Sequence, residues 1–286
     1  MLGKTIDTHI HIWDFDKAEY DWLKNDRSIL HRNYAIEELE PARKQAGITA
    51  GILVQAANNR EDNDWMLQVA AQTDWIQGVV GWLSLLNPEA TGRALAENYA
   101  ANPWFRGMRH LVHDEPDSRW LLQPPVLESL RLLAGYGLPY DMVGVIPAHI
   151  ETALLLAEQV PGLRILFDHL NQPPIAAKER FGRWGSLLKA AAAHPQFFVK
   201  ISGLGTASGN PAGWTAADIK PYIEFVLQQF GADRCMCGGD WPVSLLAGDY
   251  THTWAAYRQV LEELLDNEQQ EQVLWETAER FYDLKL

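Results

Sequence analysis

The sequence predicts an α/β fold, a single (β/α)8 barrel, on three observations. Short β-rich apolar runs recur eight times, about 33 residues apart, which is the length a strand, a loop and a crossover helix require. Helical patterns fill the intervals, and alternation of this kind implies a parallel sheet covered by helices. Eight such units in 286 residues favour closure into a barrel. An open doubly wound sheet is the competing arrangement, but no glycine-rich nucleotide loop follows the first strand.

The first strand is TIDTHIHIW (Thr5–Trp13), and the helical stretch IEELEPARKQAG after it stops at Gly47, a C′ glycine. ITAGILVQA (Ile48–Ala56) is the second strand. DNDWMLQVAAQT then places Trp65, Val69 and Ala70 near one helical face. The third and fourth strands are IQGVVGWLSL (Ile76–Leu85) and FRGMRHLV (Phe105–Val112). PPVLESLRLLAGYG begins with prolines and ends at glycine, the start and stop chemistry of a helix. LPYDMVGV (Leu138–Val145), LRILFDHL (Leu163–Leu170), FFVKISGL (Phe197–Leu204) and RCMCGGDW (Arg234–Trp241) supply strands five to eight. The helical segments IETALLLAEQVPG, RWGSLLKAAAAHP, IKPYIEFVLQQFG and HTWAAYRQVLEELLD follow them, and NEQQEQVLWETAERFYDL forms a last amphipathic helix. No linker marks a second domain, so one barrel domain over residues 1–286 is expected.

Composition narrows the function. Lys plus Arg is 24 against 37 for Asp plus Glu, a net charge of −13, which disfavours a nucleic-acid backbone or an anionic membrane as partner. No apolar run reaches the length of a membrane span, and MLGKTIDTHIHIW lacks a secretory core, so a cytoplasmic location is expected. A homodimer is compatible with this composition. Cys235 and Cys237, the only cysteines, read as small core hydrophobes.

In such barrels the chemistry sits at the C-terminal ends of the strands. His9 and His11 share one face of the first strand because side chains alternate with period two; Ile6, Thr8 and Ile10 then face the helices. The imidazole pair suits a metal or the polarisation of a carbonyl, although an HxH spacing alone is weak evidence. Asp240, in CGGDWP, can deprotonate a water or merely cap a turn. His169 is the functional candidate of strand six, with neighbouring Asp168 turned the other way onto backbone or a helix. Arg109, Asp141 and Lys200 are candidates for holding a substrate or for ordinary ion pairs, and Trp13, Trp82 and Trp241 could stack on a ring at the mouth. His31, His110, His113, His149, His194 and His252 read as solvated or packed.

IDTHIHIWD, FRGMRH, ILFDHLNQPP, FVKISGL and GGDWPV, in this order along the whole chain, resemble the amidohydrolase superfamily, and within it the amidohydrolase-related lactonases that act on sugar-acid lactones or on a pyrone dicarboxylate. The resemblance implies a hydrolase opening a small lactone, with His9, His11 and His169 polarising the carbonyl and Asp240 as general base. It implies no obligatory cofactor. One divalent metal, zinc, held by His9, His11, His169 and Asp240 is compatible with it. Metal-rich relatives carry a carboxylated lysine on strand four; FRGMRHLV has none, which argues against a two-metal centre. Asn171 and Gln172 stand where relatives often show a Gly-Lys pair. A mononuclear-metal decarboxylase or amide hydrolase is the alternative. A scaffold without activity is disfavoured, because it would not gather reactive groups at one rim.

Overall fold

The computed structural model describes residues 3–285. Every expected run contains a strand: β1 Ile6–Ile10, β2 Ala50–Val54, β3 Ile76–Gly81, β4 Phe105–His110, β5 Tyr140–Met142, β6 Ile165–Phe167, β7 Phe197–Ile201 and β8 Cys235–Cys237. All neighbours pair in parallel and in sequence order. The ring closes just beyond β8, where Ile10 bridges Trp241, the His11 amide donates to the Trp241 carbonyl at 2.7 Å and the Asp240 amide donates to the His9 carbonyl at 2.8 Å.

Local chemistry sets the helices. Proline occupies the first turn of Pro88–Ala94, Pro124–Gly135 and Pro147–Gln159, where a missing N–H costs nothing. Asn59, Asn87 and Asp249 cap their helices through side-chain oxygens. Gly47 ends the first helix at φ 71°. The last segment runs as consecutive helical turns from Asn267 to Phe281, with a wider π turn at Gln272–Glu276.

Two apolar layers result. The larger lies between strands and helices. The smaller joins Ile6, Ile52, Val80, Leu166 and Met236 to Phe281 and Tyr282, and side chains from strands so far apart meet only inside the barrel. The C-terminal helix therefore plugs the end at which the strands begin. Ile6 belongs to this interior, not to the helix face that simple alternation assigns it. The register of β1 against β2 shifts between Asp7 and Ile10, so it is Asp7 that reaches the helices, accepting from the Tyr250 hydroxyl at 2.6 Å and the Gly239 amide at 2.8 Å.

Candidate active site

At the C-terminal ends of the strands a cavity of about 260 Å³ is bordered by His11, Gln55, Arg109, His113, His169, Gly203 and Asp240, with Trp22 and apolar side chains on its walls. A larger open groove of about 890 Å³ runs beside it and shares Trp22 and Leu111, but no histidine borders it.

His9 and His11 do project to one side. Their Nε2 atoms are 3.1 Å apart, and Asp240 Oδ1 lies 3.8 Å from the first and 3.6 Å from the second. The Val54 carbonyl, 2.8 Å from His11 Nδ1, accepts a proton from that nitrogen, so in the neutral ring the lone pair is on Nε2. Gly238 makes room for this packing: a β-carbon there would stand 2.5 Å from His9 Cβ. Burial, first among the causes, holds His9 well below its ordinary pKa, with Lys200 acting in the same direction and Asp168 opposing. His9 is therefore a neutral imidazole near pH 7.

His169 joins the cluster by a turn of the backbone. Residues His169, Leu170, Asn171 and Gln172 all have positive φ, and the His169 ring packs edge-on against His9 with centroids 4.6 Å apart. Ser202 Oγ accepts from the His169 amide at 3.3 Å and lies 2.9 Å from His169 Nδ1. A hydroxyl that accepts there and donates to Nδ1 keeps the ring proton on Nε2. Burial lowers the pKa of His169 as well.

Asp168 keeps the alternation of Leu166, which lies in the barrel interior, and so faces inward instead of onto backbone or helix; the left-handed turn brings His169 to the same side. It is fully buried, with Oδ2 3.2 Å from Arg109 Nε and Oδ1 2.9 Å from Lys200 Nζ. Burial alone would raise its pKa, but the Lys200 ammonium, with the Arg109 guanidinium beside it, outweighs that and holds it well below the usual carboxylate range. Asp141 and Lys200 do not border the cavity. They lie a layer deeper, 2.9 Å apart and without exposure, and the Tyr282 hydroxyl of the C-terminal plug donates to Asp141 Oδ2 at 2.5 Å.

The tryptophans expected at the mouth are elsewhere. Trp13 is buried, donating to the Arg32 carbonyl and packing on Tyr34 and Trp22. Trp241 packs on Tyr34, and Trp82 donates to His110 Nδ1 at 3.0 Å. Trp22 is the tryptophan bordering the cavity among the described residues. His113, set aside by the sequence reading, borders it too, its pKa lowered to about 4 chiefly by burial. Gln55 was missed, although its place as the polar residue closing an apolar strand run was a usable signal.

His9, His11 and Asp240 offer three ligand atoms within 4.8 Å of one another. Two imidazoles and a carboxylate with an open position are the donor set of a mononuclear catalytic zinc site, so these residues fit such an ion. His169 stands beside the set and outside it.

A family model described as amidohydrolase matches residues 6–284. Two curated relatives are named L-fucono-1,5-lactonase. The protein of Burkholderia ambifaria is 32% identical over 280 residues, 97% of this chain and 94% of that one. The protein of Burkholderia multivorans is 30% identical over 296 residues, 99% of this chain and 97% of that one. A crystal structure of an amidohydrolase from Burkholderia multivorans with bound zinc is 29% identical and superposes with a TM-score of 0.90, covering 99% of this chain and 100% of the other.

Proposed function

The chain belongs to the amidohydrolase family, and from that premise we propose that it hydrolyses a sugar-acid lactone, as the relatives named for L-fucono-1,5-lactone do. The observation that carries the proposal is the approach of the Asp240 carboxylate to both imidazole Nε2 atoms, at 3.6 and 3.8 Å, beside the cavity. Contacts longer than 3.5 Å leave space for a bridging water.

Asp240 takes a proton from that water, whose oxygen attacks the lactone carbonyl carbon. His169 Nε2–H, with Arg109, stabilises the charge that develops on the carbonyl oxygen, while His9 lies behind them, without exposure and off the cavity wall. The ring C–O bond then breaks, and the leaving alkoxide takes its proton from Asp240. The product is a hydroxy acid, which releases a proton at neutral pH. A divalent ion on His9 Nε2, His11 Nε2 and Asp240 would polarise the same carbonyl as a Lewis acid.

Two features favour a neutral, hydroxylated substrate. Arg109 is the one Lys or Arg on the cavity wall among the described residues, and Asp168 already engages it; a dicarboxylate would need more cationic partners. Gln55 supplies an acceptor. Its Nε2 donates to Asn58 Oδ1 at 3.0 Å, and that oxygen is fixed by the Leu111 amide, also at 3.0 Å. The amide orientation therefore leaves the buried Gln55 Oε1 without a protein partner, and a lactone hydroxyl would satisfy it.

No helix among the described residues is long and apolar enough to cross a membrane, and an enzyme of small-molecule metabolism in the cytoplasm is the setting we infer. The test is proton release from a panel of aldono-1,5-lactones and unsubstituted δ-valerolactone. Turnover of the aldonolactones above the Asp240→Asn background is expected; no turnover of any lactone would refute the reading. The His–His–Asp donor set supports the second reading, a metal decarboxylase or amide hydrolase, and activity on an aryl carboxylate or amide that a chelator abolishes would favour it.

A further inference from the structure

We propose that Tyr282, at the end of the C-terminal helix that plugs the barrel, is a positioning residue for Arg109 at the cavity, acting through a buried column of alternating charge. The Tyr282 hydroxyl donates to Asp141 Oδ2 at 2.5 Å, and Lys200 Nζ donates to the same oxygen at 2.9 Å. Lys200 Nζ also stands 2.9 Å from Asp168 Oδ1, and Asp168 Oδ2 stands 3.2 Å from Arg109 Nε. Carboxylate and cation thus alternate from the plug to the mouth. Tyr282, Asp141, Lys200, Asp168 and Arg109 are all buried, and Arg109 is the member that borders the cavity. The contacts stand whichever bond the site cleaves; the effect on rate rests on the reading above, in which Arg109 meets the developing oxyanion.

Tyr282 matters because Asp141 has few other partners. Asp141 Oδ1 has no hydrogen-bond partner among the described residues, so Oδ2 takes both donors, one neutral and one charged. A buried charge is tolerated only when it is paired and hydrogen-bonded. Without the hydroxyl, Asp141 has two ways to recover: it draws Lys200 closer, or it takes up a proton and releases Lys200. The first takes the ammonium away from Asp168; the second delivers it there in full. Either response changes the hold that Asp168 keeps on Arg109.

Arg109 has little else to fix it. Its Nη1 lies 3.3 Å from His9 Nε2 and 3.5 Å from the Gln55 carbonyl, both long contacts, and Asp168 is its carboxylate partner. A donor stabilises a developing oxyanion only from a preorganised position, so a shifted guanidinium costs rate in whichever direction it moves. Lys200 also lies 3.2 Å from His9 Nδ1; a displaced ammonium is felt there too, and a second substitution at Arg109 separates the two routes. Tyr282→Phe isolates the hydroxyl, because it keeps the ring that packs on Phe281 within the interior layer.

The experiment is a double-mutant cycle on the full chain: wild type, Tyr282→Phe, Arg109→Gln and the double variant, each checked for folding by circular dichroism. A misplacement of about 1 Å can cost about 10²-fold in rate; for the smaller shift here we expect kcat to fall about tenfold in Tyr282→Phe, with KM nearly unchanged. In the Arg109→Gln background the same change should make no difference, because residues that act through one another are not additive. An unchanged kcat in Tyr282→Phe, or an equal loss in both backgrounds, would overturn the proposal. NMR of the Arg109 Nε–H, assigned by its loss in Arg109→Gln, needs no turnover and decides if that variant is too slow to assay. Exchange with solvent tracks local opening, and it should be slow in wild type and about tenfold faster in Tyr282→Phe. Equal exchange in the two would overturn the proposal, as would fast exchange in wild type, which decides alone should Tyr282→Phe not fold. A wild type that opens no lactone but shows the exchange difference would sink the reading of the reaction and leave the column standing.

Discussion

The Asp240 amide donates to the His9 carbonyl at 2.8 Å, so a backbone hydrogen bond at the closure of the barrel also holds the proposed base beside the buried His9 imidazole. Asp240 has φ 56°, a left-handed conformation that asparagine also tolerates. Asp240→Asn should therefore keep the fold and the His9 contact while losing the group that takes the water proton. A general base contributes about 10²–10⁴-fold, and kcat is expected to fall by that order with the melting temperature nearly unchanged. Proton-release kinetics beside a circular-dichroism melt check this; wild-type turnover in the variant would remove Asp240 from that role.

Gly203, after β7, is the packing counterpart of that arrangement. It has φ 61°, and a β-carbon there would stand 2.7 Å from His169 Nδ1 and 3.1 Å from Asp240 Oδ2. Gly203→Ala should cost about 1–2 kcal/mol for the left-handed backbone alone. It should also push His169 off Ser202 and Asp240 off its position. A displacement near 1 Å can cost about 10²-fold in rate, so a kcat loss near that size with a melting temperature lower by a few degrees is expected. Unchanged kcat would mean that the site tolerates the shift.

Gln55→Leu tests the hydroxyl reading. Deleting one partner of a buried hydrogen bond costs about 1–3 kcal/mol, or roughly 10–100-fold in kcat/KM. The loss should fall on hydroxylated lactones and spare δ-valerolactone, which offers no hydroxyl to Oε1. An equal loss on both substrates would make Gln55 a structural residue.

How far the sequence discloses this site depends on what alternation can say. The eight strands are legible because β-rich apolar runs at a fixed interval have one common solution, and His9, His11 and Asp240 follow from their places at strand ends. Asp168 is not legible, because parity counted back from an inward His169 turns it outward, and that count presumes extended backbone where residues 169–172 turn left-handed; Asp168 itself keeps the alternation of Leu166. Ile6 fails for a related reason, the register shift within β1. For Lys200 and Asp141 the strand indicates the interior but not the depth, and depth decides between touching substrate and supporting what does. Trp13 shows the limit of composition: an abundance of tryptophan says nothing about which ring reaches the mouth.

Asp7 gives a pH dependence separable from catalysis. Burial pushes its carboxyl up to about 6 from 3.8, against the hydrogen bonds from Tyr250, Gly239 and His9 that favour the ionised form. A native pKa above the unfolded one means that folding takes up a proton between about pH 4 and 6. The stability Asp7 contributes is thus full below pH 4 and declines as pH rises through 6, a shift worth up to about 3 kcal/mol. Asp62 and Asp141 are raised to about 6 too and Asp168 is lowered, so the wild-type profile alone mixes opposing signs. The difference between wild type and Asp7→Asn isolates one group. The melting temperature of wild type minus that of Asp7→Asn should become more positive as pH falls from 7 to 4, because asparagine cannot gain the proton that relieves the buried charge. A difference that stays flat across that interval would mean that Asp7 is not held above its unfolded pKa.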